Sequence, residues 1–99
     1  MQMTLENRGS ECELLMQGRL DSYTAPDAEK IFQELPTRFD FVILNLSGLE
    51  MLSSAGLRIL KLLHMAMQKK GGRLMLRCVP RNVMEVFEMT GYVGLLDLE

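Results

Sequence analysis

Residues 41–63 constrain the fold of this chain more than any other stretch. Phe41 to Leu46 is a continuous run of bulky apolar side chains broken only by Asn45, the composition of a strand covered on both faces. From Ala55 the period changes. Gly56, Leu60, Leu63 and Met67 recur at the spacing of helical turns and form one stripe along a helix. Between the two segments lie Ser53 and Ser54, where a serine hydroxyl can accept a hydrogen bond from an orphan N–H of the first turn. A strand that runs into a helix places its turn at the carboxyl edge of an open α/β sheet, the usual location of ligands and partners. The hydroxyls of Ser53 and Ser54 are therefore the first candidate site.

The remaining composition narrows the class. Ninety-nine residues make one domain, large enough to bury about two thirds of the surface of its unfolded chain. Eleven basic against thirteen acidic side chains give a net charge of −2, with no basic cluster beyond Lys69-Lys70, so nucleic acid and anionic membrane are poor partners. The absence of a ~20-residue apolar run and of a basic, hydrophobic leader predicts a cytoplasmic location. Cys12 and Cys78 both fall in strand-like runs and read as reduced, buried thiols. A single histidine, His64, leaves no familiar metal-ligand spacing, so neither metal nor cofactor is expected. His64 itself reads as a residue of the polar face or of an interface. There is no nucleophile elbow and no phosphate-binding glycine loop with its lysine. An isolated serine is also a weak nucleophile without a neighbouring base, so an enzyme is not indicated.

Taken in order, Gln2 to Asn7 reads as an edge strand, and Arg8-Gly9-Ser10 turns it into a second strand over Cys12 to Gln17. The polar connection Asp21 to Thr24 leads to a helix over Ala25 to Leu35. Thr24 is its expected N-cap, Asp27 completes an acidic capping box, Pro26 sits in the first turn and Pro36 ends the helix. Lys69-Lys70 before Gly71-Gly72 marks the end of the central helix. Leu74 to Cys78 reads as a strand, Arg81 to Met89 as a short helix closed by Thr90-Gly91, and Val93 to Leu98 as an edge strand or packed tail. The result is an α/β fold, a mixed central sheet of four to five strands with three to four helices.

The run from Asn45 to Leu57, with Gly18-Arg19-Leu20-Asp21, Gly71-Gly72 before a strand, Val79-Pro80 and Phe87-Glu88-Met89-Thr90-Gly91, resembles the STAS domain of bacterial anti-sigma factor antagonists over nearly the whole chain, 1–99. That resemblance implies a partner-switching role. The unphosphorylated protein would bind an anti-sigma factor that is also a serine kinase of the histidine-kinase-like ATPase fold. Phosphorylation would block binding, and a metal-dependent phosphatase of the PP2C type would restore it. The position matching the family's phosphoserine is Ser54, with Ser53 one residue away as the alternative. The family usually has an acidic residue before that serine, where this chain has Ser53, and a hydroxyl after it, where this chain has Ala55. The implied partner surface comprises Asp21, Ser22, Tyr23 and Thr24, the turn residues Ser53, Ser54 and Gly56, and the helix face bearing Arg58 and Leu62, extending to Met65. Leu57, Leu62 and Met65 lie off the core stripe, which gives the helix more apolar width than one core contact requires. Two other readings stay open: a ligand- or nucleotide-sensing STAS domain that holds an anion on the N–H groups at Ser54 to Gly56, and a scaffold that is never phosphorylated.

Overall fold

The structure is a computed structural model that describes residues 1–99, the side chain of Leu95 excepted. Its elements are β1 (Gln2–Arg8), β2 (Glu11–Leu20), α1 (Ala25–Arg38), β3 (Phe41–Leu52), α2 (Ser54–Lys70), β4 (Arg73–Arg77), α3 (Arg81–Met89), a 3₁₀ turn (Tyr92–Leu95) and β5 (Asp97–Leu98). The five strands lie in chain order, β1-β2-β3-β4-β5. The β1–β2 hairpin is antiparallel and the remaining neighbours are parallel. Gly9 takes the left-handed conformation (φ +80°) that the tight connection of β1 to β2 requires.

Strand alternation decides which side of the sheet carries the core. Cys12, Leu14 and Met16 of β2, Val42, Leu44 and Leu46 of β3, and Leu74 and Leu76 of β4 share one face. They form a single cluster with Ala28, Phe32 and Leu35 of α1, Ile59, Leu60, Leu63 and Met67 of α2, and Val83 and Phe87 of α3. The core therefore lies on one side of the sheet. Phe41 to Leu46 lies in the central strand of the sheet, and the helices pack against one of its faces. Ile43 is 3% exposed, yet it stands on the opposite face, in register with Glu13 and Met75. There side chains lying across the sheet surface cover it: Asn45 donates to Glu13 (3.0 Å), Arg77 donates to Glu13 (2.9 Å), and Arg73 stacks on Phe41. The Asn45 hydrogen bond and the Arg77 and Arg8 charges hold the Glu13 carboxyl below its ordinary value.

Four expectations need correction. α1 runs through Pro36 to Arg38. The proline removes one donor near the helix end, and the freed end is held because Phe39 N–H donates to Leu35 O while Lys70 Nζ donates to Pro36 O (2.7 Å) and Phe39 O (2.9 Å). β3 continues past Leu46 to Leu52: its pairing with β2 shifts register between Leu15 and Gln17 and again between Gly18 and Arg19, each shift taking up one extra residue of β3, and at the first the small Gly48 passes close to the Gln17 side chain. Cys78 is exposed, unlike buried Cys12, because a left-handed residue (φ +57°) turns the chain out of the sheet just past the last β3–β4 pair. Leu57 is buried, since the inward arc of α2 includes Gly56, Leu57, Ile59, Leu60, Leu63 and Met67. The α2 C-terminus matches its sequence signal: Gly71 is left-handed (φ +79°), and its N–H and that of Gly72 return to the last carbonyls.

Candidate functional site

The ends of β2 and β3 meet at one edge of the sheet. Leu20 pairs with Leu52, and Ser53 N–H donates to Leu20 O at 2.9 Å, so the Ser53–Ser54 turn is fastened to the last residue of β2, from which the Asp21–Thr24 loop departs. Gly56 tightens the junction. A Cβ at that position would lie 2.7 Å from both Leu20 Cγ and Leu52 Cδ1 and 2.9 Å from Leu20 O. Gly56 is buried, and its lack of a side chain lets the first turn of α2 close against β2.

The two serines divide the work of the turn. Ser53 is extended (φ −91°, ψ 174°) and half-buried, and its Oγ accepts from Gly56 N–H at 3.4 Å, the N-cap geometry that satisfies an orphan donor. Ser54 is the first residue of α2 and is exposed, and among the described residues its hydroxyl has no hydrogen-bond partner. The one histidine stands elsewhere: His64 Nδ1 lies 3.1 Å from the Tyr92 hydroxyl, on the other half of α2. Such a hydroxyl suits the acceptance of a group delivered from outside more than attack on a substrate of its own.

In the neighbouring loop Thr24 holds the N-cap position of α1 but makes no cap bond, so the expected box with Asp27 does not form. Thr24 Oγ1 accepts from Asp21 N–H (3.0 Å) and donates to Arg19 O (2.8 Å). Asp21 takes over the capping task. Its Oδ1 accepts from Thr24 N–H (3.2 Å) and Tyr23 N–H (2.9 Å), and its Oδ2 faces Arg19 at 3.7 Å. Those N–H groups, the Thr24 N–H above all, hold the Asp21 carboxyl below its usual range. Asp21 is thus committed to building the loop. Ser22 is exposed, and Tyr23 projects from the loop at 92% exposure.

Along α2, Leu62 (45% exposed) and Met65 (63%) are at the surface as the excess apolar width predicts. Leu62 borders a cleft of about 310 Å³ between α1 and α2, lined also by Glu29, Phe32, Gln33 and Ile59. Arg58 is exposed but not free: its Nη2 donates to Glu29 Oε1 at 3.2 Å across the two helices. Sequence reasoning missed Glu29. Nothing local connects it to Arg58, 29 positions away. Among the described residues no group of three or more His, Cys, Asp or Glu side chains is arranged to hold a metal, and no helix is long and apolar enough to cross a membrane.

The STAS domain family matches residues 2–99 of this chain. BtrV of Bordetella bronchiseptica, which carries the name of an anti-sigma factor antagonist, is 30% identical over 102 residues, covering 99% of this chain and 85% of that relative. Among solved structures, the anti-sigma factor antagonist SpoIIAA in its unphosphorylated form superposes with a TM-score of 0.84 at 17% identity, covering 99% of this chain and 88% of that one. SpoIIAA from Bacillus in its phosphorylated form gives 0.79 at 16% identity, covering 99% and 91%. A Thermotoga maritima protein designated an anti-sigma factor antagonist gives 0.89 at 19% identity, covering 97% and 84%. These likenesses establish the fold, and together with the full-length family match they lead to one conclusion: the chain belongs to the STAS domain family of the anti-sigma factor antagonist type.

Proposed function

We propose that this protein is a phosphorylation-controlled antagonist in a partner-switching module. In its unmodified form it binds an anti-sigma factor that is also a serine kinase and so releases that factor's target. The kinase transfers the γ-phosphoryl group of ATP to Ser54, the complex dissociates, and a metal-dependent phosphatase resets the switch. The observation that carries this reading is the exposed Ser54 hydroxyl at the start of α2, without a hydrogen-bond partner among the described residues, on a turn that Ser53 fastens to the end of β2 beside the Asp21–Thr24 loop. The solved phosphorylated form of SpoIIAA adds support from a relative of the same fold.

Physical chemistry makes the two consequences of modification opposite. At a helix N-terminus the added charge of roughly −1.5 to −2 faces the positive end of the dipole, so the domain itself gains about 0.3–1 kcal/mol. Inside a packed interface the same group must be desolvated or must face the partner's acidic groups, at a cost of several kcal/mol. About 2.7 kcal/mol already weakens binding a hundredfold. The fold survives and the complex does not.

Ser53 is the poorer acceptor because its Oγ already caps Gly56. Incubation of the purified protein with the serine kinase of its own module and ATP, followed by peptide mass mapping, tests the assignment. Phosphate on Ser54 is expected. Phosphate on Ser53 shifts the site by one residue, and an unmodified turn contradicts the switch.

A further inference from the structure

We infer that a phosphoryl group on Ser54 draws the Arg58 guanidinium away from Glu29 and thereby changes the charge of the α1–α2 cleft; the inference rests on the phosphoserine reading above. Ser54 and Arg58 are four residues apart on α2, one above the other on the same face. Helical side chains lean toward the N-terminus, so the Arg58 chain is directed over the first turn. Its present partner is held weakly. A single Nη2–Oε1 contact of 3.2 Å joins side chains that are 59% and 27% exposed, a setting in which ion pairs contribute little.

A phosphoserine at position 54 competes on three counts. It carries nearly twice the charge of a carboxylate. Its oxygens match the guanidinium fork in a bidentate contact. It also stands on the N-terminal side of the cation at the i, i+4 spacing, the favoured order for such a pair.

The consequence reaches beyond the modified turn. In the unmodified protein Arg58 and Glu29 neutralise one another on the border of the cleft that Leu62, Ile59 and Phe32 line. After the exchange Arg58 belongs to the phosphate and Glu29 is left without its cation. The local sum falls from zero to roughly −1.5 to −2. Part of that charge then sits at the cleft, so a partner resting on Leu62 meets an uncompensated carboxylate as well as the phosphate.

The test is a ³¹P NMR titration of protein made with phosphoserine encoded at position 54, which makes the result independent of whether the kinase chooses that residue. The second ionisation of the phosphate is compared in the wild type, Arg58→Gln and Glu29→Gln, with matched circular dichroism spectra verifying that all three are folded. The helix dipole acts equally on each. Loss of Arg58 is expected to raise the midpoint by about 0.5 pH unit. Loss of its competitor Glu29 is expected to lower it by a smaller amount. Equal midpoints in the wild type and Arg58→Gln would overturn the pairing, and a Glu29→Gln midpoint equal to the wild type would overturn the exchange. If the kinase leaves the Ser53–Ser54 turn unmodified while these shifts are observed, the proposed function fails and the coupling stands.

Discussion

Gly56→Ala probes the junction on which the whole site depends. The added methyl would sit 2.7 Å from Leu20 Cγ and Leu52 Cδ1 and 2.9 Å from Leu20 O. Both leucines are buried, so neither side chain can swing aside into solvent. Overpacking of this kind costs about 1–3 kcal/mol. The carbonyl that must move also accepts the Ser53 N–H, and weakening that hydrogen bond adds about 0.5–1.5 kcal/mol. Against this, alanine is favoured over glycine in a helix by up to about 1 kcal/mol. The balance is a loss of about 0.5–3.5 kcal/mol, with a fall in Tm of about 4–8 °C for each kcal/mol in a domain of this size. Urea unfolding followed by circular dichroism should show a lower midpoint with an unchanged slope. Amide chemical shifts should change mainly at residues 20–24 and 52–58. A variant as stable as the wild type, or more so, would refute the close approach of α2 to the end of β2.

Three other substitutions follow from the geometry. Leu44→Ala, in the helix-covered core, should cost about 2–5 kcal/mol in denaturant melts, and Ile43→Ala, on the face that carries no helix, should cost less, because the side chains lying over it can close the gap; equal losses would show that face to be packed as rigidly as the core. Glu13→Gln should remove a pH-dependent part of the stability: the Glu13 carboxyl lies below 4.5 in the folded protein, so its contribution is present above that value and disappears as the pH falls through the folded value, and the difference between wild type and variant in urea melts should be clear at pH 7 and shrink in acid. Leu62→Glu, at an exposed position, should leave stability within about 0.5 kcal/mol while weakening kinase binding at least tenfold, about 1.4 kcal/mol, in calorimetry; unchanged affinity would remove α2 from the interface.

Much of the fold was legible because local chemistry and tertiary structure agree. Gly9 marks the hairpin, Lys69-Lys70-Gly71 marks the end of α2, and Val79-Pro80 with Thr90-Gly91 brackets α3. The failures lie where a distant partner overrides a local signal. Pro36 reads as a stop, but Lys70 from another helix satisfies the carbonyls around it. The apolar run stops at Leu46, but β3 takes up two register shifts against β2 and pairs onward to Leu52. Leu57 reads as surplus apolar width until α2 is seen to bury a broad arc. At the site, the position of Ser54 was readable from the strand-to-helix transition. The tasks of Asp21 and Arg58 were not, because both are set by hydrogen bonds that only the folded chain creates.

The central claim is most directly tested by isothermal titration of the serine kinase with two preparations of this protein, one unmodified and one carrying phosphoserine at position 54. Both should unfold at similar temperatures, the phosphorylated form being no less stable. The unmodified protein should bind, and the phosphorylated protein should bind at least a hundredfold more weakly, about 2.7 kcal/mol. Equal affinities for the two forms would contradict the account.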